Sequence, residues 1–243
     1  MNGGVVAAAR DRPRSRRGGT VELANTAGIE LLGERRFPED ADTTGFGQAI
    51  AAALDHGVSR LVLGIGSSAS TDGGLWMLRG LGGTFTDAAG LPVVSGVRGL
   101  AAIASADLTV LRPLPDGGAS VITDVTNPLL GSLGAAAVFG PQKGMDAAGV
   151  QCADEGLRRL VDLLGGEPGS GAAGGTGYAL RLWGARLAPG AEAIAGLVRL
   201  REAVADADLV VTGEGQFDSQ SLSGKVPVRS PRLLVRRGWR WPS

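Results

Sequence analysis

Three things are scarce in this 243-residue sequence: it has 1 cysteine, 1 histidine and only 4% aromatic residues. A lone Cys152 excludes an internal disulfide framework and fits a reducing, cytoplasmic compartment. His56 stands just before Gly57, where an imidazole satisfies helix-terminal carbonyls or faces water, so its position has a sufficient explanation without catalysis. No stretch approaches the ~20 apolar residues of a membrane span, so no membrane partner is expected. The formal net charge of +0 exerts no overall pull on nucleic acid or an acidic surface, and any anionic ligand must be held locally. The N-terminus carries Arg10, Arg12, Arg14, Arg16 and Arg17 but no continuous apolar segment with a cleavage site, which argues against a secretory signal. No aromatic interleaves these arginines, which argues against a nucleic-acid arm, and residues 1–20 read as a disordered basic tail.

What the chain does have is glycine, 41 residues of it, alongside abundant alanine, a composition of tight turns and close helix packing. Its length suffices for a sizeable core in one large domain or two smaller ones. The organising stretch is Asp208 to Lys225. A β-branched run, Leu209 to Val211, stops at Thr212-Gly213-Glu214-Gly215, and Gly224 precedes Lys225. A strand that ends in a polar, glycine-bracketed loop is where open α/β folds bind ligands; an ordinary surface turn is the competing reading.

Upstream, Val21 to Ala24 is a short strand candidate. Asp42-Thr43-Thr44 reads as an N-cap region for a helix over Phe46 to Leu54. The run Leu61 to Gly66 is fully apolar, as a buried parallel strand should be, and it feeds Ser67, Ser68, Ser70, Thr71, Asp72 and Gly73-Gly74 before a helix through Trp76 and Leu81. The spacing Gly64-x-Gly66-x-x-Ala69, with Asp87 roughly twenty residues on, matches a dinucleotide fingerprint and raises a nicotinamide-dependent oxidoreductase as an alternative. Two features oppose it. The helix begins only after Gly74, and the run of hydroxyls suits a loop that grips a small hydroxylated or phosphorylated ligand. Asp72 is either the cap of that helix or a ligand-facing acid.

The section from Phe85 to Pro115 is irregular, with turn signals at Asp87 to Gly90 and at Asp116 to Gly118. Ser120 to Val125 is the next strand, with Asp124 and Asn127 at its C-terminal end. Either these residues face a ligand or they satisfy their own turn, with Pro128 holding Asn127 out of helical geometry. Lys143 lies between glycines, placed to counter an anion or to be solvated. Asp146 to Leu164 is an amphipathic helix with Cys152 packed on or near its apolar stripe. Gly169-x-Gly171-x-x-Gly174 lacks a preceding strand and so fails as a dinucleotide motif, but it supplies a backbone-rich loop opening a helix over Tyr178 to Trp183, either an anion cradle or a packing device. Ala191 to Ala205 reads as a further helix. The final loop is not a Walker A site, because Ser219 occupies the first glycine position and Val226 follows Lys225.

Taken together, the segments Gly66 to Gly74, Asp124 to Gly131, Phe139 to Gly144, Pro168 to Gly177 and Thr212 to Pro227 resemble the type I glycerate kinase family. Phe-Gly-Pro-Gln-Lys-Gly at 139–144 and Thr-Gly-Glu-Gly with Ser-Gly-Lys-Val-Pro at 212–227 are the most specific segments. The resemblance implies transfer of the γ-phosphoryl group of ATP to D-glycerate, giving 2-phosphoglycerate, with ATP and Mg²⁺ as cofactors. It implies an α/β fold in which a flavodoxin-like domain, largely missing here, carries an inserted restriction-enzyme-like α/β domain. On that basis residues 21–200 are the inserted, substrate-side domain, 201–227 a fragment of the flavodoxin-like domain and 228–243 a basic tail outside the family pattern.

The roles implied by the resemblance are Asp218 or Glu214 as base or metal carboxylate and Lys225 facing phosphate. Asp72 and Asp124 would hold the glycerate hydroxyls or the metal, and Ser67, Ser68, Ser70, Asn127 and Lys143 would bind substrate. Gly171, Gly174, Gly175, Gly213 and Gly215 would form the phosphate loops. Phosphoryl transfer needs charge neutralisation and in-line positioning above all, which such groups supply. The family's opening strand with its Asp-Ser-Phe-Lys-Gly loop is not found, and the sequence after Pro227 departs from the family, so the chain reads as truncated at both ends. A non-catalytic binding fragment is therefore the second functional expectation.

Overall fold

The computed structural model describes residues 18–166, 170–190, 195, 196 and 198–205. The chain divides into two compact units, Met1–Leu187 and Ala188–Ser243.

The first unit is built on a sheet whose opening strand, β1 (Gly18–Glu22), begins inside the segment expected to be a disordered tail. Its side chains alternate, with Val21 buried between exposed Thr20 and Glu22, which is the period-2 signature of a half-buried strand. β1 pairs in parallel with β2 (Arg60–Gly64), Val21 opposite Leu63, and β2 pairs in parallel with β5 (Ala119–Ile122), Leu63 opposite Val121. With β6 (Arg186–Ala188) at the far edge, the sheet order is β1-β2-β5-β6. The apolar run in β2 led to an expectation of burial on both faces. In the fold Leu61 and Leu63 are buried while Val62 and Gly64 are only partly covered.

Parallel neighbours require crossover connections, and helices supply them. Between β1 and β2 lie α1 (Ala24–Ala27) and α2 (Thr44–Asp55). α2 buries Phe46, Ile50 and Ala53 on one face. It packs on α3 (Leu75–Gly80), where a side chain at Gly47 or Gly80 would run into the partner helix's backbone; the composition's promise of close helix packing is met here.

The irregular section contains a small two-stranded antiparallel sheet, β3 (Thr84–Thr86) with β4 (Ser105–Asp107), and α4 (Gly96–Ala102) between them. Strands of three residues are too short for alternation to show in sequence. α5 (Ala135–Phe139) leads through a 3₁₀ turn, Pro141–Lys143, to α6 (Ala147–Leu164). Asp146 caps α6, its side chain accepting from Gly149 N. α6 buries Ala153, Gly156, Leu157 and Leu160, whereas Cys152 is exposed, contrary to the expected packing. It precedes the buried row by one residue, a rotation of about 100° around the helix axis. α7 (Thr176–Leu182) follows the glycine-rich loop, as expected.

In the second unit the helical turn Leu200–Ala203 realises part of the helix expected over 191–205. The strand expected at Leu209, and with it the organising stretch to Lys225, lies outside the described residues. Among the described residues no helix is long and apolar enough to cross a membrane.

Candidate active site

The chain leaving β2 does not enter a helix directly. It runs through Ile65 to Gly74, and α3 starts only at Leu75 with Gly74 as its left-handed cap. This delay defeats the dinucleotide reading, because the fingerprint glycines sit far from any helix N-terminus, and Asp87 accepts from Ala89 N and Leu91 N within its own turn.

Instead the loop forms the wall of a cleft of about 480 Å³ at the C-terminal end of β2. Ile65, Gly66, Ser67 and Ser68 contribute from this loop, Val125 from the segment after β5, and Phe139, Gln142 and Lys143 from the α5 end. Ile29, Ala173 and Gly174 complete the lining. Crevices at the carboxyl ends of parallel strands are where α/β folds bind ligands. Two lining residues that are not glycine, Ser67 (φ 56°) and Ala173 (φ 54°), adopt left-handed backbone conformations, which the packing around the cleft must hold in place.

Beneath the wall the polar residues turn inward. Asp72 is 0% exposed, and its Oδ2 accepts from Thr43 N at 2.8 Å and Thr43 Oγ1 at 2.7 Å. Its Oδ1 accepts from Ser70 Oγ and Gly74 N, each at 3.1 Å. Thr43 Oγ1 in turn accepts from Met77 N at 2.9 Å, so one hydroxyl ties the start of α2 both to α3 and to the aspartate. Ser68 Oγ lies 3.3 Å from Ser70 Oγ, which extends the network to the cleft surface. Burial pushes the Asp72 carboxyl above the usual carboxylate range, and the Thr43 and Gly74 donors pull it part of the way back.

Lys143 reaches this network from the opposite wall. It is 3% exposed, and its Nζ donates to the Ser70 carbonyl and, at 3.5 Å, to Thr71 Oγ1. An ammonium has three donors, so these two bonds leave a third on a side chain that also lines the cleft. Burial lowers its pKa to about 8, opposed by the negative charge of Asp72. The solvated alternative for this lysine is thus excluded.

The glycine-rich loop closes against the same wall. Gly73 N donates to the Gly174 carbonyl at 3.0 Å. Gly174 takes φ 66°, and a Cβ there would collide with the Ser70 carbonyl. Gly175 (φ 92°) packs against Gly73 Cα in the same way, while Gly171 N donates to the Asn127 carbonyl at 2.9 Å. Gly171 and Gly175 therefore hold loops together, and only Gly174 of this set lines the cleft.

Of the expected site residues, the fold brings Ser67, Ser68, Lys143 and Gly174 to one cleft, with Ser70 directly behind them. Asp72 neither lines the cleft nor caps α3, whose N-cap is Gly74. Asp124 is exposed and outside the lining. Asn127 serves its own loop, its Nδ2 donating to Leu133 O at 2.9 Å. Gly213, Glu214, Gly215, Asp218 and Lys225 lie outside the described residues. Thr43, which anchors Asp72, read only as part of a helix-start signal, since no local spacing links residues 29 apart in sequence.

The described arrangement is thus a concave site with one buried ammonium, serine hydroxyls at its rim and apolar walls, suited to a small hydroxylated anion. The sequence profile of the Glycerate kinase family matches residues 6–238. The chain belongs to the glycerate kinase family. It is 39% identical over 219 residues to the glycerate 2-kinase of Escherichia coli (strain K12), covering 86% of this chain and 58% of that protein. It is 40% identical to the glycerate kinase of Bacillus subtilis (strain 168), again over 219 residues, covering 86% and 57%. The crystal structure of a candidate glycerate kinase 2 from Salmonella typhimurium LT2 superposes with a TM-score of 0.83 at 40% identity, covering 90% of this chain and 62% of that one. The chain thus spans under two thirds of the length of these glycerate kinase relatives.

The donor set bears on a metal. Among the described residues no group of three or more His, Cys, Asp or Glu is placed to hold an ion, and no carboxylate lines the cleft. Magnesium takes oxygen ligands, usually from one or two carboxylates with phosphate and water. The described residues do not fit it, and Asp124, expected with Asp218 to bind metal, is not part of this cleft.

Proposed function

We propose that this chain takes part in ATP-dependent phosphorylation of D-glycerate to 2-phosphoglycerate, with the described unit supplying the substrate side. The observation that carries the reading is the Lys143 ammonium, buried against the Ser70 carbonyl and the Thr71 hydroxyl on the wall of a cleft that Ser67 and Ser68 also line, at the C-terminal end of a parallel strand. The free donor of Lys143 pairs with the glycerate carboxylate, a charge-assisted hydrogen bond. Ser67 and Ser68 orient the substrate hydroxyls, and the apolar walls exclude water. In the transfer, the bond between the γ-phosphorus and ADP breaks as a bond to the glycerate 2-oxygen forms, and the hydroxyl proton passes to a base. Asp218 or Glu214 is proposed as that base and Lys225 as the phosphate contact, with Gly213 and Gly215 as the phosphate loop.

The domain assignment is part of the proposal: residues 21–200 as the inserted substrate-side domain and 201–227 as re-entry to the flavodoxin-like one, in the cytoplasm. A second reading, glycerate binding without turnover, draws on the absence of carboxylates from the described cleft lining. An ADP-release assay with ATP, Mg²⁺ and D-glycerate, with NMR identification of the product, separates the two. Formation of 2-phosphoglycerate supports the first; glycerate binding by calorimetry with no ADP release supports the second. The absence of both binding and turnover overturns the proposal.

A further inference from the structure

Asp72 was expected at the reacting centre, yet its carboxylate is enclosed by Thr43, Ser70 and Gly74. Ser70 stands between it and the cleft. The Ser70 hydroxyl donates to Asp72 Oδ1, and the Ser70 carbonyl accepts from Lys143 Nζ. A carboxylate and an ammonium thus share one residue as a bridge without touching. We infer that Thr43 and Asp72 form a positioning pair for the anion-binding lysine: Thr43 fixes the carboxylate, and the carboxylate, through Ser70, holds Lys143 charged and aimed at the cleft. The inference deepens the proposed function, resting on the reading that Lys143 binds the substrate carboxylate.

The geometry supports the direction of the effect. Both donors of Thr43, its N–H and its hydroxyl, meet the same oxygen, Oδ2, and leave Oδ1 to Ser70 and Gly74. That division fixes the plane of the carboxylate. Lys143 and Asp72 are both almost fully buried, so their interaction is screened far less than a surface pair. Asp72 is the charged group that acts on Lys143 among the described residues, and no other titratable side chain lines the cleft. Asp42, a second charged neighbour of Asp72 besides Lys143, adds a repulsion that favours its neutral form, and the Thr43 donors oppose this. A buried amine with no counter-charge readily gives up its proton, so a device that keeps this one protonated serves anion binding directly.

The test follows the Lys143 ammonium itself by NMR titration of the full chain labelled at lysine Cε, in parallel with the D-glycerate KM as a function of pH. In Asp72→Asn the Lys143 titration is expected to move down by about one unit or more, with KM at pH 8 rising about fivefold or more, since a one-unit drop from about 8 takes the charged fraction at pH 8 from about one half to about one eleventh. Thr43→Val, which keeps the volume but not the hydroxyl, is expected to move both in the same direction by a smaller amount, and Thr43→Ser to restore both. Thr43→Val is read alone if Asp72→Asn does not fold. Folded variants whose Lys143 titration stays within about 0.2 units of wild type would overturn the inference, because a merely structural role leaves that titration untouched. The titration needs no substrate. If the wild-type chain binds no glycerate, the proposed function fails while the coupling of Asp72 to Lys143 is still decided.

Discussion

Two loops leave the same sheet at the same edge and look alike in sequence, yet they fold into opposite environments. After β2, residues 65–74 carry Ser67, Ser68, Ser70, Thr71 and Asp72. After β5, residues 123–131 carry Thr123, Asp124 and Asn127. In the first loop Ser70, Thr71 and Asp72 are all 0% exposed and join a network that reaches Thr43 and Lys143. In the second, Asp124 is exposed and Asn127 ties its own loop at Leu133. The difference comes from what covers each loop. Gly73, Gly174 and Gly175 allow the glycine-rich loop to lie against residues 70–74 backbone to backbone, which removes water and obliges each polar group to find a partner. An acid at a strand end is therefore not in itself a site; burial decides whether it becomes part of an enclosed scaffold or stays at the surface.

The sharpest way to break this comparison is to separate the two covering backbones. Gly174→Ala introduces a Cβ into the Ser70 carbonyl at a left-handed φ, and a loss of about 3 kcal/mol in urea unfolding is expected, with substrate binding lost alongside. A change under about 1 kcal/mol would show that the loops are not locked by this contact.

Next in size is the charge in the cleft. Lys143→Met should raise the D-glycerate KM by about thirtyfold, the worth of one charge-assisted hydrogen bond, while the chain still folds. An unchanged KM would remove Lys143 from substrate recognition.

The same lysine gives two pH trends of opposite sign. Its folded pKa of about 8 lies below the ordinary 10.5, so the folded chain holds fewer protons than the unfolded one between these values. Wild type should accordingly gain stability relative to Lys143→Met as pH rises through that window. Glycerate affinity should move the other way, falling about fivefold from pH 8 to pH 9 and approaching tenfold per unit beyond, since the neutral amine binds no carboxylate. Parallel stability and KM profiles would test both, and two trends of the same sign would exclude Lys143 as their common cause.

The smallest effect is expected in the second loop. Asp124→Asn should alter unfolding stability by no more than about 0.5 kcal/mol, as for exposed surface positions. Any loss of turnover in that variant would then report on function and not on folding. A large destabilisation would show that the two loops are more alike than their burial indicates.

Much of this was legible in the sequence, for reasons that differ from element to element. The apolar run at Leu61 to Gly66, the helix over Phe46 to Leu54 and the amphipathic pattern of 146–164 announced themselves because their periods follow from local backbone geometry. The late start of α3 was readable from Gly73-Gly74, since those glycines can take the left-handed turn that precedes it. Cys152 was misjudged because a stripe's edge shifts by a full side-chain direction with one residue. β3 and β4 were missed because three residues show no alternation.

By itself, then, the sequence determined the longer strands and helices in their order, the family, and which polar residues stand at strand ends. These follow from local propensity and from motifs contiguous in the chain. Only the tertiary structure decided that Asp72 faces inward while Asp124 faces out, that Thr43 is its anchor, and that Lys143 loses its water to become the cleft's buried cation. Thr43, Asp72 and Lys143 lie far apart along the chain. Whether their groups meet depends on the parallel crossovers of the sheet and on the close approach that the glycines permit, and desolvation, which fixes charge and partner, exists only once those pieces are packed together.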